Sequence, residues 1–163
     1  NVLEYGFGTG LNALLTLEFA INNNKKIVYE SIEAYPLNSN EFNLLNYDDF
    51  VKTPVSLQKL HEITVDKNEM VTENFSLLKH FCKIENFNTT NKFDIVYFDV
   101  FGYDFQSELW SAEILQQAFL LAGHDLKLSQ LQKPVMVTSY DMSLGSPVLF
   151  KSWHESYGLG QNS

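Results

Sequence analysis

The prediction of the fold depends mainly on the stretch NVLEYGFGTGLN at Asn1–Asn12. Val2 and Leu3 are typical of the end of a buried strand, and Glu4 stands at its carboxyl end. Three glycines follow at every second position, and glycine lets the backbone turn tightly and approach a ligand because it has no Cβ. Leu11–Ile21 then has the apolar periodicity of a helix. Strand, glycine turn and helix form the first unit of an α/β fold whose ligands bind outside the carboxyl ends of the strands.

The spacing of the glycines indicates which ligand the turn holds. Gly6, Gly8 and Gly10 are one residue short of the G-x-G-x-x-G that dinucleotide-binding turns require. Together with Glu4 they give E-x-G-x-G-x-G, which resembles motif I of class I S-adenosylmethionine-dependent methyltransferases. A carboxylate attracts the sulfonium and the amino group of that cofactor, whereas it would repel a pyrophosphate. The pattern therefore favours S-adenosylmethionine over a dinucleotide, and a glycine turn that binds nothing is the third alternative.

Two further carboxylates are predicted at the same edge of the sheet. Ile27–Ile32 has the β-branched composition of a strand, and Glu33 follows it about 20 positions after the glycine turn, where nucleoside-binding α/β folds place the ribose ligand. A solvated charge at a strand end is the alternative for Glu33. Lys92–Asp99 is the strongest strand candidate, and its apolar run predicts a central parallel strand covered on both faces. Asp99 stands at the carboxyl tip of that strand.

Weaker patterns fill the rest of the chain. They predict a short helix at Ser39–Tyr47 capped by Asn38 or Ser39, a helix at Leu57–Ile63, a weak strand at Glu69–Phe75, an ambiguous segment at Phe75–Phe81, a helix capped by Ser111 that runs to Leu121, and a strand at Pro134–Ser139. No repeat or linker divides the 163 residues, so we expect a single domain over residues 1–163. Because the chain opens inside a strand, we also expect that an N-terminal segment is missing.

Composition limits the partners and the compartment. The net charge is −9 and all 11 basic residues are lysines, so the broad basic stripe of a nucleic-acid-binding face is missing. The single cysteine, Cys82, excludes an internal disulfide framework and fits a reducing compartment, which predicts a cytoplasmic protein. The four histidines lack metal-ligand spacing, so no metal site is predicted. No apolar run is long enough to span a membrane.

Four segments together resemble one enzyme family. They are EYGFGTGLNALLTL at Glu4–Leu17, SIEAYPL at Ser31–Leu37, LNY at Leu45–Tyr47, and FDIVYFDVF followed by ELW within Phe93–Trp110. This combination resembles the tRNA 5-methylaminomethyl-2-thiouridine methyltransferases, the MnmC N-terminal domain that also occurs alone as MnmD. The resemblance covers residues 1–121. It implies a Rossmann-like, mostly parallel sheet, with S-adenosylmethionine as cofactor.

The resemblance also implies an activity and its residues. The implied reaction is methyl transfer to the 5-aminomethyl group of the modified wobble uridine of tRNA, with Asp99 in the active site. Glu4, Gly6, Gly8, Gly10, Asn12 and Glu33 are the candidate cofactor-binding residues. Phe101, Tyr103 and Trp110 would stack on a flipped base, although core packing explains Phe101 at least as well and Trp110 better. An oxidoreductase domain or partner is a possible companion.

The chain departs from the family pattern in two places. Gly102-Tyr103 stands where the family has Ala-Pro, and residues 122–163 lack the family's Lys-Pro-Gly-Gly turn and its arginines. We therefore expect a domain that is incomplete at both ends. Two other functions stay open: a small-molecule methyltransferase of the same fold, which the acidic composition favours, and a non-catalytic domain that binds S-adenosylmethionine.

Overall fold

The structure is a computed structural model that describes residues 1–100, 106–122, 136–141 and 146–151. The chain divides into two compact units, Asn1–Ala122 and Gly123–Ser163, and each is described by itself. The first unit is an α/β domain built on a five-stranded, mostly parallel sheet, which is compatible with a Rossmann-like fold. In the second unit, two strands form an antiparallel pair.

Strands and helices alternate at the start of the first unit, and three strands then follow one another without an α-helix between them. Its strands are β1 (Val2–Tyr5), β2 (Ile27–Glu33), β3 (Glu69–Thr72), β4 (Phe75–Phe81) and β5 (Ile95–Phe98), and its helices are α1 (Leu11–Asn22), α2 (Ser39–Phe42), α3 (Leu57–Glu62) and α4 (Ala112–Leu121). Short 3₁₀ turns lie at Tyr47–Asp49, Ile84–Asn86 and Ser107–Trp110. The second unit contributes β6 (Met136–Asp141) and β7 (Ser146–Lys151).

The strand order of the sheet is β3-β4-β2-β1-β5. Strands β4, β2, β1 and β5 are parallel, and β3 pairs antiparallel with β4. In this register Glu4 on β1 lies between Ser31 on β2 and Tyr97 on β5. Because the neighbouring strands β2, β1 and β5 run in one direction, their carboxyl ends meet at one edge, and the residues that follow them come together there.

Two apolar clusters cover the two faces of the sheet. Val2 and Tyr29 belong to the cluster that contains α1 and α3 residues such as Leu14 and Leu60. Leu3 and its neighbours belong to the other cluster, which is formed by Tyr5, Ile32, Ile84, Phe87, Phe93, Ile114 and Leu121. Successive strand residues point to opposite faces, so β1 is buried on both sides, as its apolar sequence requires.

Most predicted elements are present, with different limits. The helix predicted at Ser39–Tyr47 is only four residues long, and its N-cap is Asn38, which accepts from the Asn40 N–H while Glu41 completes a capping box. The helix at Leu57–Glu62 and the strand at Ile27–Glu33 are confirmed. The ambiguous segment Phe75–Phe81 is a strand with alternating burial. Among the described residues, no helix is both long and apolar enough to cross a membrane.

Among the described strands, the predicted central position of the Lys92–Asp99 strand in the five-stranded sheet is wrong. β5 lies at the edge of that sheet, where it pairs with β1, and Ile95 is 48% exposed. An apolar run shows that a strand has buried side chains, but it carries no information on how many strands flank it. The position of a strand in a sheet depends on pairings with residues far away in the sequence.

Candidate functional site

The glycine turn is connected to both neighbouring strands. The Gly6 N–H donates to the Ile32 carbonyl at the end of β2 (2.9 Å), and the Asp99 N–H donates to the Tyr5 carbonyl (2.9 Å). Gly6 has a φ of 91°, and a Cβ there would lie 2.5 Å from the carbonyl oxygen of Asp99. Only glycine fits this position, since any other residue would collide with the backbone that follows β5.

Gly8 differs from Gly6 because space is open in front of it. Its φ is 50°, and a Cβ at this position would meet no protein atom within 4 Å. Gly10 follows as the residue before α1, with its N–H donating to the Phe7 carbonyl at 2.8 Å. The turn is thus closed against the sheet at Gly6 and open at Gly8.

Glu4 is fully buried behind the turn. One carboxylate oxygen accepts from the Asn12 side-chain amide at 3.0 Å, and the other accepts from the Ser31 hydroxyl at 2.9 Å. Burial raises the pKa of Glu4 to about 7, although the hydrogen bonds from Asn12 and Ser31 lower it in part. Because the side chain is inaccessible, Glu4 supports the site from behind and does not line its surface.

Asn12 connects Glu4 with Asp99. Its amide nitrogen donates to Glu4 Oε1 at 3.0 Å and to Asp99 Oδ2 at 2.8 Å. Asp99 is exposed at the carboxyl end of β5. A helix residue thereby joins carboxylates that are 95 positions apart in the sequence, one of them buried and the other accessible.

Glu33 lies at the last position of β2 and faces the turn from the other side. Its Oε2 accepts from the Gly8 N–H at 2.8 Å, and its Oε1 accepts from the Tyr35 N–H at 2.7 Å. Each carboxylate oxygen has two acceptor positions, so Glu33 can still accept from ligand hydroxyl groups. The predicted residues Glu33 and Asp99 therefore stand on two sides of the glycine turn, at one edge of the sheet.

A group of side chains that the sequence did not predict lies under the turn. His61 stacks on Phe42 with ring centroids 4.8 Å apart and contacts the edge of Phe7, while its Nε2 lies 3.1 Å from the Thr9 carbonyl. A carbonyl can only accept, so Nε2 carries the proton. Burial lowers the pKa of His61, which favours this neutral form. His61 thus supports the glycine turn from α3.

Lys79 of β4 holds His61 in turn. Its ammonium donates to the His61 carbonyl at 2.5 Å and lies 5.3 Å from the centroid of the Phe7 ring. The residue is 2% exposed, and burial lowers the pKa of Lys79 to about 8. Lys79 follows Phe75 and Leu77 at every second position, which places a lysine on the buried face of β4, and this spacing is the sequence signal for the contact.

The candidate base-stacking residues are only partly within the described structure. Phe101 and Tyr103 lie outside the described residues. Trp110 packs edge-on against Phe98, with ring centroids 5.3 Å apart. This contact fits the core-packing alternative for Trp110.

In the described ranges, no group of three or more His, Cys, Asp or Glu side chains is arranged so that it could hold a metal ion. Comparisons with protein-family models, with curated proteins and with solved structures found no match to this chain. The family resemblance therefore rests on the motifs alone.

Proposed function

We propose that the chain is a methyltransferase that uses S-adenosylmethionine and acts on the 5-aminomethyl group of the wobble uridine in tRNA. The observation that carries the cofactor assignment is a glycine turn that is open at Gly8, with Glu33 bonded to the Gly8 N–H and Asp99 following β5 on the other side of the turn. The substrate assignment rests on the sequence motifs, as does the expectation of a cytoplasmic enzyme.

The chemistry of these side chains fits this cofactor. The carboxylates at the turn accept hydrogen bonds and attract cations, which suits an amino group, a sulfonium and ribose hydroxyls. Glu33 would hold the ribose hydroxyls, and the backbone at Gly8 gives the close approach that a bound nucleoside requires. When bound, S-adenosylmethionine supplies a methyl group activated by the positive sulfonium.

Asp99 is the residue that we assign to the reacting amine. A carboxylate is a much weaker base than an alkylamine, so Asp99 is not expected to remove the proton of an ammonium. It accepts a hydrogen bond from the amine, orients its lone pair and stabilises the positive charge that develops on nitrogen. Water takes the proton that the substrate ammonium must lose before its nitrogen can accept the methyl group. Alignment of the two reactants then provides most of the rate acceleration.

A small-molecule acceptor is the second candidate, because one observation favours it. The net charge is −9 and the chain contains no arginine, and both features disfavour attraction of a polyphosphate chain. The same carboxylates would serve an amine of any size. Assays with tRNA and with small primary amines, run at low salt, separate these two substrates.

Calorimetric titration with S-adenosylhomocysteine tests the cofactor assignment. We expect micromolar binding that the variant Gly8→Val abolishes, since valine is strained at a φ of 50° and its side chain would occupy the open space. Asn24→Val is the matched control, because Asn24 has a φ of 48° in a loop away from the turn. A folded wild-type chain that does not bind, or equal losses in both variants, would contradict the proposal.

A further inference from the structure

We infer that Asn12 is a positioning residue that holds the Asp99 carboxylate in place, with the buried carboxyl group of Glu4 as its anchor. This role rests on the proposed methyl transfer and explains a residue that the motif alone would assign to cofactor binding. The inference rests on the Glu4–Asn12–Asp99 chain of hydrogen bonds.

The orientation of the Asn12 amide is fixed by its two partners. An amide NH₂ group has two donors, and the nitrogen of Asn12 lies 3.0 Å from Glu4 Oε1 and 2.8 Å from Asp99 Oδ2. If the amide were flipped, its oxygen would face carboxylate oxygens at both contacts. Both donors are therefore committed, and the direction of the Asp99 carboxylate follows from the position of α1.

The anchor keeps its function in both protonation states of Glu4. The groups that face this carboxyl are the Asn12 amide, the Ser31 hydroxyl, the Tyr29 hydroxyl and the charge of Asp99. A hydroxyl can donate or accept, so Ser31 can rotate to accept a proton carried on Glu4 Oε2. Glu4 Oε1 then continues to accept from Asn12, and the contact with Asp99 is unchanged.

A neutral amide suits this position better than a cationic side chain. A lysine or arginine between Glu4 and Asp99 would pair with the Asp99 charge and compete with a substrate ammonium. Asn12 restrains one oxygen of Asp99 and leaves the negative charge in place. Asp99 is exposed, so its remaining acceptor positions stay open to an incoming amine.

A double-mutant cycle tests the coupling between the two residues. We expect Asn12→Ala to lower kcat by roughly 10- to 100-fold, because a misplaced reacting group costs that much, while affinity for S-adenosylhomocysteine changes less than about threefold. In the Asp99→Ala background the same substitution should cost little more. Equal losses of rate in both backgrounds, or a loss of affinity as large as the loss of rate, would overturn the inference.

A second readout does not need activity. The side-chain amide signals of Asn12, assigned by their loss in Asn12→Ala, should shift in the nuclear magnetic resonance spectrum of Asp99→Ala and of Glu4→Gln, and should stay in place in the control Glu85→Ala. Asn12 amide signals that stay in place in Asp99→Ala would overturn the inference even if the enzyme is active. If they respond but no acceptor is methylated, the proposed function fails and the contact itself stands, so the two failures are distinguishable.

Discussion

Two glutamates of the site stand on neighbouring strands and have opposite environments. Glu4 on β1 is fully buried, and both of its oxygens accept from side chains, those of Asn12 and Ser31. Glu33 at the end of β2 is half-buried and accepts from two backbone N–H groups, those of Gly8 and Tyr35. The two residues have the same chemistry, and only their surroundings separate their roles.

Because their environments differ, the two carboxylates at this edge of the sheet are suited to different roles. At the end of β2, backbone N–H groups hold Glu33 in place, and the half-buried side chain can still be reached by water or a ligand. Inside the sheet, loss of solvent disfavours the charged form, and burial raises the pKa of Glu4 to about 7. We therefore assign ligand contact to Glu33 and internal support to Glu4, which acts on Asp99 through Asn12.

The strongest effect on activity is expected for Asp99, at one end of the Glu4–Asn12–Asp99 chain of hydrogen bonds. Asp99→Ala should lower the rate of methyl transfer by about 100- to 1000-fold, since a group that stabilises developing charge is lost. Affinity for S-adenosylhomocysteine, measured by calorimetry, should stay nearly unchanged. Glu85→Ala removes an exposed carboxylate of a 3₁₀ turn and serves as the charge-matched control. Equal losses of rate and affinity would mean that Asp99 binds the cofactor, as is proposed for Glu33, and has no separate role in methyl transfer.

The next prediction concerns the stability of the fold and how the contribution of the buried Glu4 depends on pH. With a pKa of about 7 in the fold and an ordinary value of 4.5 when unfolded, Glu4 binds more protons in the folded state between these values. The contribution of Glu4 to stability is therefore greatest below pH 4.5 and falls as the pH rises to 7, by about 3 kcal/mol at most.

Glu4→Gln should remove this fall, because a glutamine amide can keep both hydrogen bonds without a charge. Urea unfolding from pH 5 to pH 8 checks it: the variant should gain on the wild type as the pH rises. Glu62→Gln, at an exposed position of α3, should follow the wild type at every pH. A constant difference between Glu4→Gln and the wild type would mean that Glu4 keeps its charge as an exposed carboxylate does.

The smallest of these effects concerns cofactor affinity. Glu33→Ala should weaken binding of S-adenosylhomocysteine by about 10- to 100-fold, because hydrogen bonds to a charged group are lost and the Gly8 N–H loses its partner. The methyl-transfer rate at saturating cofactor should change little. Glu73→Ala, which removes an exposed carboxylate between β3 and β4, is the control. Unchanged affinity would support the alternative that Glu33 is only a solvated charge at a strand end.

Much of the local structure could be predicted from the sequence. A tight turn at Gly6, Gly8 and Gly10 was predicted because glycine permits positive φ angles, which all three residues adopt, and helix α1 was predicted from its apolar period. Segments without a strong local pattern were less predictable. The local pattern of Phe75–Phe81 is ambiguous, and in the structure this segment is a strand that pairs with β2. The helix that begins at Ser39 ends at Phe42, although the sequence pattern predicts a helix to Tyr47.

The contacts under the turn could not be predicted because their partners are distant in the chain. His61 reaches Thr9 across 52 positions, and Lys79 reaches the His61 carbonyl from another element. Each residue by itself is an ordinary polar side chain. Only the packing of α3 and β4 against the glycine turn gives it a role.

Local sequence is sufficient to predict a strand, a glycine turn and a helix within the first residues, and a carboxylate at the end of each of three predicted strands. These features depend on backbone sterics and on local apolar periodicity, which short stretches of sequence contain. Other features arise only in the folded chain: Glu4 is buried, Glu33 remains accessible, and Asn12 joins Glu4 to Asp99. Burial and hydrogen-bond partners depend on which strands become neighbours, and strand pairing joins residues far apart in the chain.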